Sequence, residues 1–67
     1  MELVAILTNN QYLSLVGQQY TTDSYFNPVK DCNDNWIISS QEIDFCTNVE
    51  FDWIKDLTLT PWCKPIQ

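Results

Sequence analysis

Between Asp31 and Glu42 the chain carries three local signals in succession, and they limit how everything else can be arranged. Asn33-Asp34-Asn35 reads as a hairpin tip, because Asn and Asp tolerate left-handed backbone and bond to their own main chain. Trp36-Ile37-Ile38 is aromatic and β-branched, the composition of a strand. Ser39 and Glu42 then have the spacing of a capping box, in which each side chain satisfies a backbone N–H of the other at a helix start. A turn followed by a strand needs an extended partner upstream. Tyr25-Phe26 with Val29 supplies one, and Pro28 confines it to an edge or a bulge. Trp36–Ile38 is then its hairpin partner or a third strand of a larger sheet.

The remaining segments follow from period and punctuation. Glu2–Leu7 is a short apolar run with branched Val4 and Ile6, as expected of a buried strand. Thr8-Asn9-Asn10-Gln11 reads as a turn, and Tyr12–Val16 alternates with Leu13 and Leu15 on one face. Together these runs suggest an N-terminal hairpin, with a helix across Met1–Val16 as the alternative, in whose middle Asn9-Asn10 would sit. Gln18–Ser24 is a polar loop. Ser39 or Ser40 caps a short helix from Gln41 to about Cys46, with Ile43 and Cys46 facing inward. Asn48 is a second candidate cap. After it, Val49, Trp53 and Leu57 recur at helical spacing, while Val49, Phe51 and Trp53 also alternate with Glu50 and Asp52 as a strand would. Helix is preferred for Val49–Asp56, and strand stays open. Leu57–Trp62 is expected to be extended and Lys64–Gln67 to form a tail. The class implied is α+β: one small domain, residues 1–67, with a small antiparallel β-sheet (an N-terminal hairpin plus one or two strands) and one or two short C-terminal helices.

Composition narrows the chemistry. At 67 residues with 45% apolar and 13% aromatic content, the chain can build one modest core, with Trp36, Trp53 and Trp62 supplying much of its area. The single glycine, Gly17, excludes a glycine-rich phosphate loop. The absence of histidine removes the commonest general base and any Ser/His/Asp or Cys/His system, so the expectation is a non-enzyme without cofactors. A net charge of −6, with Lys30, Lys55 and Lys64 the only cations, disfavours direct contact with nucleic acid or an anionic membrane. Cys32, Cys46 and Cys63 are odd in number and widely spaced, and the first residues lack a basic leader. Three reduced thiols and a cytoplasmic location are expected, with a Cys46–Cys63 bridge as the alternative.

One spacing could serve a metal. Asp31, Asn33 and Asn35 present oxygens at alternate positions, and Glu42 follows seven residues later. This resembles the calcium loop of EF-hand proteins, which implies further ligands at the Ile37 carbonyl and at Ser39, and an apolar residue at Ile38. Two positions depart from that pattern. Trp36 stands where the EF-hand turn has glycine, and Pro28 precludes an entering helix. Any Ca2+ held by only two carboxylates would bind weakly, at about 10⁻⁴ M or looser. Turn plus cap is the preferred reading of the same residues.

Ser24–Val29, Asp31-x-x-x-Asn35–Ser39 and Phe51-x-Trp53–Leu57 together resemble a type of small uncharacterised protein of bacteriophages and prophages. The resemblance implies an accessory product acting inside a bacterium and brings no activity with it. The leading functional expectation is a small acidic module that binds another protein, with an exposed Trp62 as anchor and Asp34, Asp44 and Asp52 as flanking charges. The alternative is an acidic mimic of nucleic acid that blocks a host DNA-binding or nuclease protein. It would use Asp31, Asp34, Glu42, Asp44, Glu50, Asp52 and Asp56 as phosphate substitutes.

Overall fold

A computed structural model describes residues 2–65. Ile66 and Gln67, the end of the expected tail, lie outside the described residues. The fold is α+β, built on a four-stranded antiparallel sheet in the order β2-β3-β1-β4. Its strands are β1 (Leu3–Leu7), β2 (Val29–Lys30), β3 (Trp36–Ser39) and β4 (Leu59–Pro61). β1 is central, paired with β3 from Val4↔Ser39 to Leu7↔Trp36 and with β4 from Leu3↔Pro61 to Ala5↔Leu59. A central strand has both faces to cover, which is why Leu3–Leu7 is apolar without alternation. β2 pairs only with β3, so the strand after Pro28 is an edge strand, as proline requires.

The expected N-terminal hairpin does not form. Residues Asn9–Leu15 are a helix, α1, and β1 finds its partners far along the chain. Thr8 and Gln11 make a complete capping box: Gln11 N–H donates to Thr8 Oγ1 and Thr8 N–H to Gln11 Oε1, at 3.2 and 2.8 Å. Asn9 and Asn10 therefore occupy the first turn, where weak helix formers cost least, rather than a loop. Tyr12 and Leu15, three apart, face the core, while Leu13 and Val16 remain exposed.

Helix α2 (Ser40–Asp44) starts at the expected box, with Ser39 as cap and Glu42 as its reciprocal partner. Val49–Asp56 is a 3-10 helix capped by Asn48, broken in the middle by Phe51 at φ −114°, ψ 26°. Its most buried residues are Phe51 and Ile54, with Trp53 and the cap residue Leu57 partly buried against the core. Phe51 and Ile54 are three apart, matching the three residues per turn of a 3-10 helix. Of the expected helical stripe, Trp53 and Leu57 pack against the core but Val49 is 83% exposed, and the alternating pattern is not realised.

All three helical segments pack on one face of the sheet. Ala5, Leu7 and Ile38 from the strands meet Leu15, Phe26, Ile43, Cys46, Phe51 and Ile54. Trp36 stacks on Tyr12, with centroids 4.0 Å apart and planes within 5°, and Phe26 meets Phe51 edge-on at 5.6 Å. The other face carries Val4, Ile6, Ile37 and Val29, in register by the strand pairing, with Ile6 45% exposed. Val4 and Ile37 are as buried as the core, at 2% and 0% exposure, yet lie outside the main cluster. They line a cleft together with Trp62, from the segment after β4, and with Asn27 and Glu42. That segment also overturns the expected thiol state. Cys63 is disulfide-bonded to Cys32, with 5.2 Å between Cα atoms, and Cys46 is the free cysteine, buried in the core. No helix among the described residues is long and apolar enough to cross a membrane.

Candidate functional site

The Asp31–Glu42 stretch folds as turn, strand and cap. Asp31 is 6% exposed, and its Oδ1 accepts from the backbone N–H groups of Asn33 and Asn35 at 2.9 and 2.8 Å. The Asp31 N–H donates to the Asn35 carbonyl and the Asp34 N–H to the Asp31 carbonyl, closing the loop. The left-handed residue is Asp34, at φ 66°, whereas Trp36 lies in β3. Asp34 is also held by Lys30, whose Nζ reaches its carbonyl and its Oδ1 at 3.2 and 3.3 Å.

Glu42 is the other buried carboxylate. Its Oε1 accepts from Asn27 N–H at 3.0 Å and its Oε2 from Ser39 N–H at 3.3 Å. Burial pushes its carboxyl above the ordinary value of 4.5, and the two backbone donors partly restrain that rise. Glu42 thus reaches the chain before β2, while Asp31 organises the turn after it. The two carboxylates serve opposite ends of the β2–β3 hairpin. Of the other candidate ligands, Asn33 and Asn35 are exposed in the turn. The Ser39 hydroxyl accepts the Glu42 N–H, and Ile37 is fully buried within β3 between two strands. Among the described residues, no three His, Cys, Asp or Glu side chains gather where a metal could be held. The six residues are in place as hairpin and helix cap, and they are not brought together as a ligand shell.

The surface residues divide differently. Trp62 is half-buried, with its indole Nε1–H enclosed, so it is not the exposed anchor expected of it. Asp34 is exposed but paired to Lys30. Asp44, at the end of α2, and Asp52, in the 3-10 helix, are exposed, and Asp52 lies 3.5 Å from Lys55. Between them are two residues that the sequence reading missed. Phe45 is 60% exposed, and Val49 is the most exposed large apolar side chain among the described residues. The helical stripe through Val49 pointed it inward, and only a three-residue period from Phe51 would have turned it out. A depression of about 460 Å³ lies where α1 meets the 3-10 helix and is lined by Asn10, Gln11, Ser14, Trp53, Asp56 and Leu57. It offers one carboxylate and no partner for acid–base chemistry.

No protein-family model matches the chain, and comparison with curated proteins and with solved structures returned no match.

Proposed function

We propose that the protein is a non-enzymatic interaction module that binds a basic segment of another protein through residues 44–56. The observation that carries this reading is the exposure of Phe45 and Val49 inside an acidic frame. Asp44, Glu50, Asp52 and Asp56 are all exposed, and Lys55 is the only cation in the stretch. Single exposed apolar residues are ordinary on protein surfaces. Here two large ones are flanked by like charges, which steer a cationic partner towards them and disfavour acidic ones. The apolar pair then supplies contact area that salt does not screen.

The nucleic-acid mimic ranks second because two of its seven acids are withdrawn. Asp31 and Glu42 are 6% and 8% exposed and engaged with backbone donors, so neither can imitate a phosphate.

Because the resemblance implies a bacterial setting, the test is capture of binding proteins from bacterial lysate at low and high salt. Wild type is compared with Phe45→Ser/Val49→Ser and with Asp44→Asn/Asp52→Asn. The first variant should fold normally and lose the captured species at every salt concentration. The second should weaken capture mainly at low salt, where the Debye length is long. Unchanged capture by Phe45→Ser/Val49→Ser rejects the assigned surface.

A further inference from the structure

The Cys32–Cys63 disulfide joins the two edges of the sheet. Cys32 follows β2 at one edge and Cys63 follows β4 at the other. The register places Pro61 beside Leu3, at one end of β1, whereas Lys30 is opposite Trp36, which pairs with Leu7 at the other end. Two residues span at most about 7 Å and the sheet is about 14 Å wide, so the sheet curls to bring the β2–β3 turn towards Cys63. The closure lies on the face away from the helices, where Trp62 shares a cleft of about 200 Å³ with Val4, Val29, Ile37, Ser39 and Glu42. Residues 62–63 are thus a strap whose indole covers the second face.

Besides the covalent bond, the strap is held by the half-buried Trp62 ring, over which Lys64 Nζ lies at 5.2 Å, and by two backbone hydrogen bonds. Trp62 N–H donates to the Glu2 carbonyl at 2.9 Å, and Cys32 N–H to the Cys63 carbonyl at 2.6 Å. Against these, Trp62 Nε1–H is buried with no acceptor among the described residues, a desolvation cost that the closed position carries and an open one does not. Both bridged cysteines are exposed, within reach of a reagent. The main cluster includes no residue beyond Ile54, with only Leu57 packed against it from further along, so the helical face does not depend on the strap.

We propose that Cys32–Cys63 is a redox latch, opened by a dithiol reductant, whose release uncovers the Val4–Val29–Ile37 strip of the second face. One thiolate of the reductant attacks a cysteine sulfur, the S–S bond breaks, and the other cysteine leaves as a thiolate. The second thiol of the reductant then displaces the first cysteine. The reductant ends as a disulfide, having given two electrons and two protons, and Cys32 and Cys63 end as thiols. Reoxidation by a disulfide of the same class reverses each step and closes the strap.

The Trp62 indole N–H reports the latch directly. Hydrogen exchange of the 15N-labelled protein, with the Trp62 signal assigned by Trp62→Phe, is followed before and after dithiothreitol. Exchange of the Trp62 indole should rise at least about tenfold on reduction, while the Ala5 and Ile38 amides in the paired strands stay protected. Cys63→Ser should match the reduced protein without added reagent. Trp62→Ala, with the disulfide intact, should shift the methyl resonances of Val4 and Ile37 but not that of Ile54. An equally protected indole after reduction overturns the latch. So does simultaneous loss of protection across β1 and β3, which would make the bridge a staple for the whole fold. Unchanged Val4 and Ile37 signals in Trp62→Ala would show that the indole does not cover that face.

Discussion

Replacing Glu42 removes a carboxylate that ties the entry to β2, the end of β3 and the start of α2 together. Two backbone donors lose a charged acceptor, Asn27 N–H at 3.0 Å and Ser39 N–H at 3.3 Å. Bonds to charged groups contribute about 1.5–3 kcal/mol each. Both contributions belong at or below the low end here, because Asn27 is exposed and Ser39 only half-buried, so water can reach the abandoned donors. Removing a carboxylate that burial disfavours gives part of this back. Glu42→Ala should therefore cost about 1–2 kcal/mol at neutral pH, and lower Tm by about 5–15 °C for a domain of this size. Glu42→Gln keeps the volume and one acceptor oxygen and should cost roughly half as much.

The pH dependence separates this account from simple loss of packing. The folded-state pKa of Glu42 lies above the ordinary 4.5, so between those two values the native state binds more protons than the unfolded chain. Stability from this group is therefore fully present below about pH 4.5 and is lost as pH rises through the folded pKa. Glu42→Gln does not titrate there, and the other carboxylates cancel in the difference between the two proteins. Urea unfolding from neutral to mildly acidic pH should show wild type gaining on Glu42→Gln as pH falls, with the gap flat at the acid end. A constant gap, or one that narrows on acidification, would refute the assignment of a raised pKa to a buried, bonded Glu42.

Other substitutions probe separate parts of the fold. Asp31→Ala should cost about 1–3 kcal/mol by leaving the Asn33 and Asn35 N–H groups without their acceptor, and Asp31→Asn should restore most of it, both read from urea midpoints. Asp34→Gly should be neutral or stabilising by up to about 1 kcal/mol because φ is 66°, whereas Asp34→Val should lose about 1–2 kcal/mol; thermal melts distinguish them. Ile54→Ala, at a site with 0% exposure, should cost about 2–5 kcal/mol. Millimolar calcium should leave Tm unchanged, since Asp31 and Glu42 are each engaged at opposite ends of one hairpin.

What was legible in the sequence was chemistry acting over a few residues. Ser39 with Glu42, Asn48 as a cap, Asn33-Asp34-Asn35 as a tip and Pro28 at an edge all depend on near neighbours, and all are realised. Helix α1 carried a signal of the same kind, Thr8 with Gln11, but the alternation of Tyr12–Val16 mimics a strand period over too few residues to discriminate. The preference for helix over Val49–Asp56 is met, but as a 3-10 helix, whose three-residue period lies between the helical and strand periods weighed for it. The second face was not legible for a different reason. Cys32 and Cys63 are 31 residues apart, and spacing alone does not say which two of three cysteines meet. Without that bond nothing marks Trp62 as a cover for Val4 and Ile37. A pairing-independent surplus of aromatics instead suggests an exposed anchor.

Because the strap, the covered second face and the latch all rest on one covalent bond, counting thiols tests them most directly. The unreduced protein is denatured, titrated with a thiol reagent, and digested under non-reducing conditions. One free thiol, at Cys46, and a linked peptide pair containing Cys32 and Cys63 are expected. Three free thiols, or a bridge that includes Cys46, would contradict the account.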